Sequence, residues 1–363
     1  MPRTTRYSSI FALLALILAG CVQDNPAAPR SPPSAELSAT PHTYVRSLTD
    51  LGTFGALHGA GFAINDGGEV AGQRNTGLSH PRAVFWSPRA GAVDLGTLGG
   101  LGSQAVGLNN RGMIIGHAQK PGAAPWPAQR HPVVWTVSRD GVQILELGPF
   151  ANGRADDINE RGVVVGSFSA ITGPPTGFRW SRQDGVTPIP PLGGPSSMAR
   201  GINEAGDIVG TSTVAPPPPF VLHAIAWWRD GTITDLGTLG ASTTAMSINE
   251  RREVVGFGEP CPGCPAHGFY WSEATGMIDM GTFGGVSSTA FDIDGHGRVT
   301  GTYVTADSVQ HAFLWTLAGG KVDLPTLGGP GSLSGNINGR GQMTGGAEDA
   351  AGIGHAVIWQ LGP

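Results

Sequence analysis

A short mark recurs seven times along this chain: an apolar residue followed by Asn or Asp, at Ile64-Asn65, Leu108-Asn109, Ile158-Asn159, Ile202-Asn203, Ile248-Asn249, Ile293-Asp294 and Ile337-Asn338. Seven residues after each polar member stands a glycine (Gly72, Gly116, Gly166, Gly210, Gly256, Gly301, Gly345), and later a tryptophan (Trp86, Trp135, Trp180, Trp227, Trp271, Trp315, Trp359). The last four tryptophans are 44 residues apart. Such a period means one supersecondary unit stacked many times, because a single unit cannot bury its own apolar faces.

One unit reads as four short strands. The first has small residues and ends at the mark, as in Thr289–Asp294; the second is β-branched, as in Val163–Val165. The third is a run such as His311–Trp315, and the fourth leads into an Asp-Leu-Gly-like link, as in Met277–Gly281. Short runs between turn signals fit antiparallel hairpins. Between the first two strands lies Asn-x-x-Gly, as in Asn109–Gly112 and Asn203–Gly206. Asn opens a type I turn and Gly supplies the left-handed residue that follows. Arg252 takes that Gly's place in the fifth unit, which predicts a strained hairpin.

Seven such units predict an all-β fold, a seven-bladed β-propeller of four-stranded antiparallel blades, with the tryptophans between blades and the small first strands suited to the narrow channel. The seventh unit ends at Trp359, too early for a fourth strand. The unpaired segment Tyr44–Leu51 runs into the fourth-strand signature Asp50–Gly52. It is expected to complete the last blade and remove an open edge.

The start of the chain reads differently. Arg3 and Arg6 precede an apolar run, Ile10–Ala19, which is short for a membrane span and reads as a signal-peptide core. Leu18-Ala19-Gly20-Cys21 resembles the lipobox of bacterial lipoproteins, which implies cleavage before Cys21 and its acylation. The expected organisation is a signal peptide over 1–20, a lipidated cysteine with a Pro/Ala/Ser tether over 21–42, and the propeller over 43–363. Val22 stands where Asp would imply inner-membrane retention, so lipoprotein sorting implies the outer membrane or cell surface. Without Arg3 and Arg6 the chain carries 20 basic against 27 acidic residues, a balance that argues against a nucleic-acid partner. Three cysteines make no disulfide framework.

The run His-Ala-Phe-Leu-Trp at 311–315, Asp-Leu-Gly-Thr-Leu-Gly-Gly at 94–100, and Ile-Asn-x-x-Gly-x-Val-Val-Gly at 158–166 resemble the bacterial extracellular HAF repeat family, over residues 50–360. The resemblance implies an exported protein with propeller-like repeats; it carries over no activity. Arg82 and Thr176 depart from it where five units have His, and Pro188 where six have Asp or Glu.

The repeated histidines (His131, His223, His267, His311, His355) fall one to a blade, too far apart for a shared metal. A local hydrogen bond is expected of each. The repeated acids (Asp50, Asp94, Glu146, Asp235, Asp279, Asp323) are expected to accept backbone N–H groups in the blade-to-blade links. Asp292–Gly297 resembles a shortened calcium loop with too few carboxylates, and is expected to be an ordinary turn. Cys261 and Cys264 are expected to form a local disulfide in an oxidising compartment. There is no P-loop, no Gly-x-Ser-x-Gly, no His-Glu-x-x-His and no cofactor motif, so no cofactor is expected.

In an up-and-down blade the second-to-third loops and the inter-blade links share one face. Those loops vary most: nine residues in four units, but fourteen at His117–Arg130, twelve at Thr211–Leu222 and ten at Phe257–Ala266. Variable loops on a rigid scaffold usually carry recognition. Trp126, between Pro125 and Pro127, and Phe220, after a proline run, are the candidate ligand-binding residues. The expected function is a membrane-anchored binding module for a glycan or protein. The alternatives are a propeller hydrolase or lyase acting on polysaccharide, and a structural envelope protein. Acids unshared by the repeat at the channel mouth would favour the enzyme; few stand out, so binding is expected.

Overall fold

The computed structural model describes residues 45–362 apart from 78–79, 123–128, 151, 170–172 and 215–220. Strand β1 (Val45–Gly52) comes first. Blade 1 is β2 (His58–Ile64), β3 (Val70–Asn75), β4 (Arg82–Ser87) and β5 (Gly91–Asp94); blade 2 is β6 (Ser103–Leu108), β7 (Met113–Gln119), β8 (Arg130–Ser138) and β9 (Gly141–Glu146). Blade 3 is β10 (Asn152–Ile158), β11 (Val164–Ser169), β12 (Thr176–Ser181) and β13 (Gly185–Ile189); blade 4 is β14 (Gly193–Ile202), β15 (Ile208–Val214), β16 (Leu222–Trp227) and β17 (Ile233–Gly237). Blade 5 is β18 (Thr243–Ile248), β19 (Val254–Gly258), β20 (His267–Ser272) and β21 (Gly276–Gly281); blade 6 is β22 (Ser287–Ile293), β23 (Val299–Val304), β24 (Gln310–Thr316) and β25 (Gly320–Asp323). Blade 7 contributes β26 (Gly328–Ile337), β27 (Gln342–Asp349) and β28 (Gly354–Leu361).

Each of the seven sheets has four strands, and the seventh runs β26-β27-β28-β1. The predicted seven-bladed propeller is therefore the fold, and β1 pairs antiparallel with β28. The first strands touch one another around the ring, β2 against β26 included, so they line the channel. The repeated glycine is explained by close approach: a Cβ at Gly116 or Gly210 would strike the carbonyl oxygen of Gln104 or Met198 on the adjacent first strand. Trp135 and Trp359 are fully buried, and the Trp227 and Trp359 indoles donate to Pro190 and Pro325 carbonyls in the preceding links (3.0 and 2.8 Å).

Two stitches join neighbouring blades. On the turn face each mark Asn folds its own hairpin; Asn109 Oδ1 accepts the Arg111 and Met113 N–H groups at 3.1 and 3.0 Å. Its Nδ2 then donates to the mark carbonyl of the next blade, Asn159, at 3.0 Å. The same bond runs from Asn65, Asn159, Asn203 and Asn249 to the blades that follow, and from Asn338 back to Asn65. Only the boundary from blade 6 to blade 7 lacks it among the described residues, because Asp294 carries no donor and accepts from Arg298 instead. There Thr300 and Thr302 supply hydroxyl bonds to Gly335 O and Ser334 N–H (2.8 and 3.1 Å). On the loop face, Ser103, Ser197, Ser288 and Ser332 each accept an N–H near the start of the preceding blade's third strand, from Ala83, Gly177, Gly268 and Ala312.

Arg252 adopts φ 59° where the other units have glycine, as expected. Its guanidinium pairs with Asp207 of blade 4 at 2.9 Å and lies 4.4 Å over the Trp228 ring, which offsets the strain.

Candidate functional site

Each first strand of blades 1–6 carries a bulge just before the mark. A bulge leaves one residue out of the ladder and re-aims its side chain. Alignment on the repeat glycine puts Phe62, Val106, Asp156, Arg200, Met246 and Phe291 at that position. The next position reads Ala63, Gly107, Asp157, Gly201, Ser247, Asp292 and, in blade 7, Asn336. Thus two columns made mostly of small, apolar or neutral residues, with Arg200 among them, carry three carboxylates that the repeat does not contain.

Asp157 accepts the Ile202 N–H of the next blade and its neighbour Ile158 N–H, both at 2.8 Å. Asp292 accepts the Ile337 N–H of blade 7 at 2.9 Å and the Ser247 hydroxyl of blade 5 at 2.6 Å. Asp156 is clamped by Arg154 (2.6 Å) and Arg200 (3.1 Å) and is 12% exposed. All three sit on the first strands of their blades and are only partly exposed. Burial pushes Asp157 up to about 7 against the pull of its amide donors, and the charges of Asp292 and Asp156 add to it. Burial likewise raises Asp292, and brings Asp156 to about 6 against the opposing Arg154 and Arg130 charges. A carboxyl that titrates near neutrality can give and take a proton at working pH.

Above the Arg154–Asp156–Arg200 cluster a groove of about 460 Å³ opens on the loop face between blades 3 and 4. Arg130 of blade 2 also lines it, with Asn152, Phe168 and Ser169. Phe168 stacks on Phe150 at 4.0 Å between centroids. The buried His117 imidazole is held neutral by desolvation, and the charges of Arg130 and Arg154 reinforce this.

Of the residues singled out from sequence, those that are described fall elsewhere. Cys21, Trp126 and Phe220 lie outside the described residues. Cys261 and Cys264 are joined across the second-to-third loop of blade 5, with Cα atoms 5.2 Å apart. Nδ1 of His131, His223, His267 and His355 bonds the repeat acid of the neighbouring outer strand (Glu146, Asp235, Asp279, Asp50) at 2.8–2.9 Å. Asp50, Asp94, Asp235 and Asp279 also accept the link glycine N–H. In blade 1 Arg82 replaces the histidine and pairs with Asp94 at 2.9 Å. In blade 3 both partners are absent together, as Thr176 and Pro188. His311 instead stacks on Tyr303. Asp294 closes its turn by accepting from His296 N–H and Arg298 N–H, both at 2.9 Å.

No family model matches the sequence, and no curated protein matches it. Among solved structures the fold is similar to the β-propeller domain of the Trilobed protease from Pyrococcus furiosus (TM-score 0.57, 11% identity, covering 83% of this chain and 95% of that one). It is similar to the Pyrococcus horikoshii acylaminoacyl peptidase (TM-score 0.54, 12% identity, 86% of this chain and 53% of that one). Puromycin hydrolase is a third (TM-score 0.51, 13% identity, 88% and 56%). The chain spans just over half the length of the last two. At these identities the likeness establishes the fold. The expectation of a glycan- or protein-binding module is corrected on two findings. The matched propellers belong to hydrolytic enzymes. Carboxylates unshared by the repeat, thought too few in the sequence, stand together on the channel wall as Asp156, Asp157 and Asp292.

Proposed function

We propose that this chain is a hydrolase-type propeller whose chemistry takes place in the central channel, with Asp157 as its acid–base group. One observation carries the reading: Asp157 and Asp292 occupy wall positions that hold Ala, Gly, Ser or Asn in the other blades, and both carboxyls are raised by burial. Hydrolysis needs a proton delivered to the leaving group and one taken from the attacking water. Asp157, titrating at about 7, donates the first; Asp292, oriented by the Ser247 hydroxyl, takes the second. The hydrolytic enzymes among the similar folds support this class of reaction.

The test is turnover by the full chain on glycoside, ester and peptide substrates that release a fluorophore. Activity on one class is expected. It should fall by about 10²–10⁴-fold in Asp157→Asn, and should decline as pH rises through the value at which the acid ionises. Turnover of no class, or a variant as active as the native protein, overturns the proposal. We also propose that this chemistry takes place outside the cytoplasm on a lipid anchor, a reading supported by the resemblance of Leu18–Cys21 to a lipobox; labelled palmitate should enter the native chain and not Cys21→Ser.

A further inference from the structure

The groove above the channel carries more positive charge than it neutralises. Arg130, Arg154 and Arg200 line it, and among the described residues Asp156 is the one carboxylate paired with them. Asp156 is ionised at neutral pH, so the cluster keeps a net charge of about +2, arranged at the entrance to a partly dry ring. The guanidiniums are not all satisfied. Arg200 Nε is buried with no hydrogen-bond partner. Arg130 makes no ion pair among the described residues, while burial and the neighbouring Arg154 work against its charge. Cations held under such strain favour an anion that arrives from outside.

The rest of the lining narrows the anion. The Asn152 amide and the Ser169 hydroxyl offer polar partners suited to hydroxyl groups. Phe168, backed by Phe150, offers an aromatic surface. Guanidinium forks match carboxylates in geometry as well as charge. Two uncompensated charges fit a ligand with more than one carboxylate, which the C-terminus of a peptide does not supply.

We infer that this groove binds an acidic oligosaccharide, a chain of uronic-acid residues, through its carboxylates. The inference deepens the hydrolase reading by naming the substrate class, but binding and cleavage are separate measurements. Calorimetry on the full chain compares tetragalacturonate, its methyl ester and a tetra-aspartate peptide. The acid should bind at least about tenfold more tightly than the ester. Arg130→Gln should weaken the acid by about tenfold or more and leave the ester unchanged, as expected for one charge-assisted contact. Equal affinity for acid and ester, no binding of the acid, or an Arg130→Gln variant with native affinity overturns the inference. So does preference for tetra-aspartate, which would assign the groove to acidic peptides. Binding without cleavage would sink the hydrolase reading alone; cleavage restricted to neutral glycosides would sink this inference alone.

Discussion

Replacing Asp157 with Asn exchanges an ionisable carboxyl for a neutral amide of the same shape. The side-chain oxygen can still accept the Ile202 N–H at 2.8 Å, so the join between blades 3 and 4 is kept. The folded protein raises this carboxyl from an ordinary 3.8 to about 7, chiefly by burial. Between those values the folded state holds a proton that the unfolded chain has released. Stability from this group is therefore complete below the ordinary value and is lost as pH rises through the folded one. A rise of that size corresponds to roughly 4 kcal/mol, which the partial exposure of the side chain reduces to about 2 kcal/mol. For a domain this large that is about 4 °C in Tm. Scanning calorimetry should find Asp157→Asn level with the native protein, or slightly below it, at pH 4.5. At pH 8 it should melt about 4 °C higher, while its catalytic rate falls. An equal Tm difference at both pH values would refute the reasoning, since the carboxyl would then not be ionising in a dry setting. A variant less stable at pH 8 than at pH 4.5, relative to native, would mean that a cation pairs with Asp157.

Other outcomes follow from the same geometry. Deleting residues 45–49 strips most of β1 from β28 and should lower Tm by more than about 10 °C; melting within about a degree of the native protein would show that the ring does not depend on that strand. Asn109→Ala removes two turn bonds and the bond to Asn159 O, and should cost about 2–3 kcal/mol in a denaturant titration; a cost below about 0.5 kcal/mol would remove the stitch from the account. Arg252→Ala should be less stable than Arg252→Gly by about 1 kcal/mol, because both lose the Asp207 pair but only Ala is strained at φ 59°. Equal stabilities would show that the hairpin is not strained.

The architecture was legible because its causes are local and repeated. Asn109–Gly112 folds its turn whatever lies around it, and the missing fourth strand of blade 7 could be counted from where Trp359 falls. The roles of the repeated histidines and acids were also open to that logic, since residue types that recur in every unit serve the unit. The channel carboxylates were not found, because what distinguishes them is tertiary. Asp156 differs from Phe62 or Met246 only in type until the bulge turns it inward, and Asp157 meets the charge of Asp292 only when blades 3 and 6 share one ring. The signal was present all the same: Asp157 and Asp292 are the two carboxylates in a column that elsewhere holds Ala63, Gly107, Gly201, Ser247 and Asn336. Asp292 had been read along the chain, as part of a loop with Asp294, when its partners come from Ser247 and Ile337. The Arg130–Arg154–Arg200 groove escaped for the same reason, being assembled from three blades.

The pairing of β1 with β28 also sets an order in time. Blades 1 to 6 are each built from consecutive strands and can form as soon as their own residues are synthesised. Strand β1 is made before any blade, yet its partner, Gly354–Leu361, emerges after every other strand, so Asp50 waits for Val357 while all the intervening strands are synthesised. Throughout that interval the growing arc has two raw ends, the outward edge of the newest blade and a solitary strand able to pair with any chain that offers a match. The eight residues of β28 thus act as a latch. A chain cut short just before Gly354 would keep six finished blades and still be the form most prone to join its neighbours edge to edge.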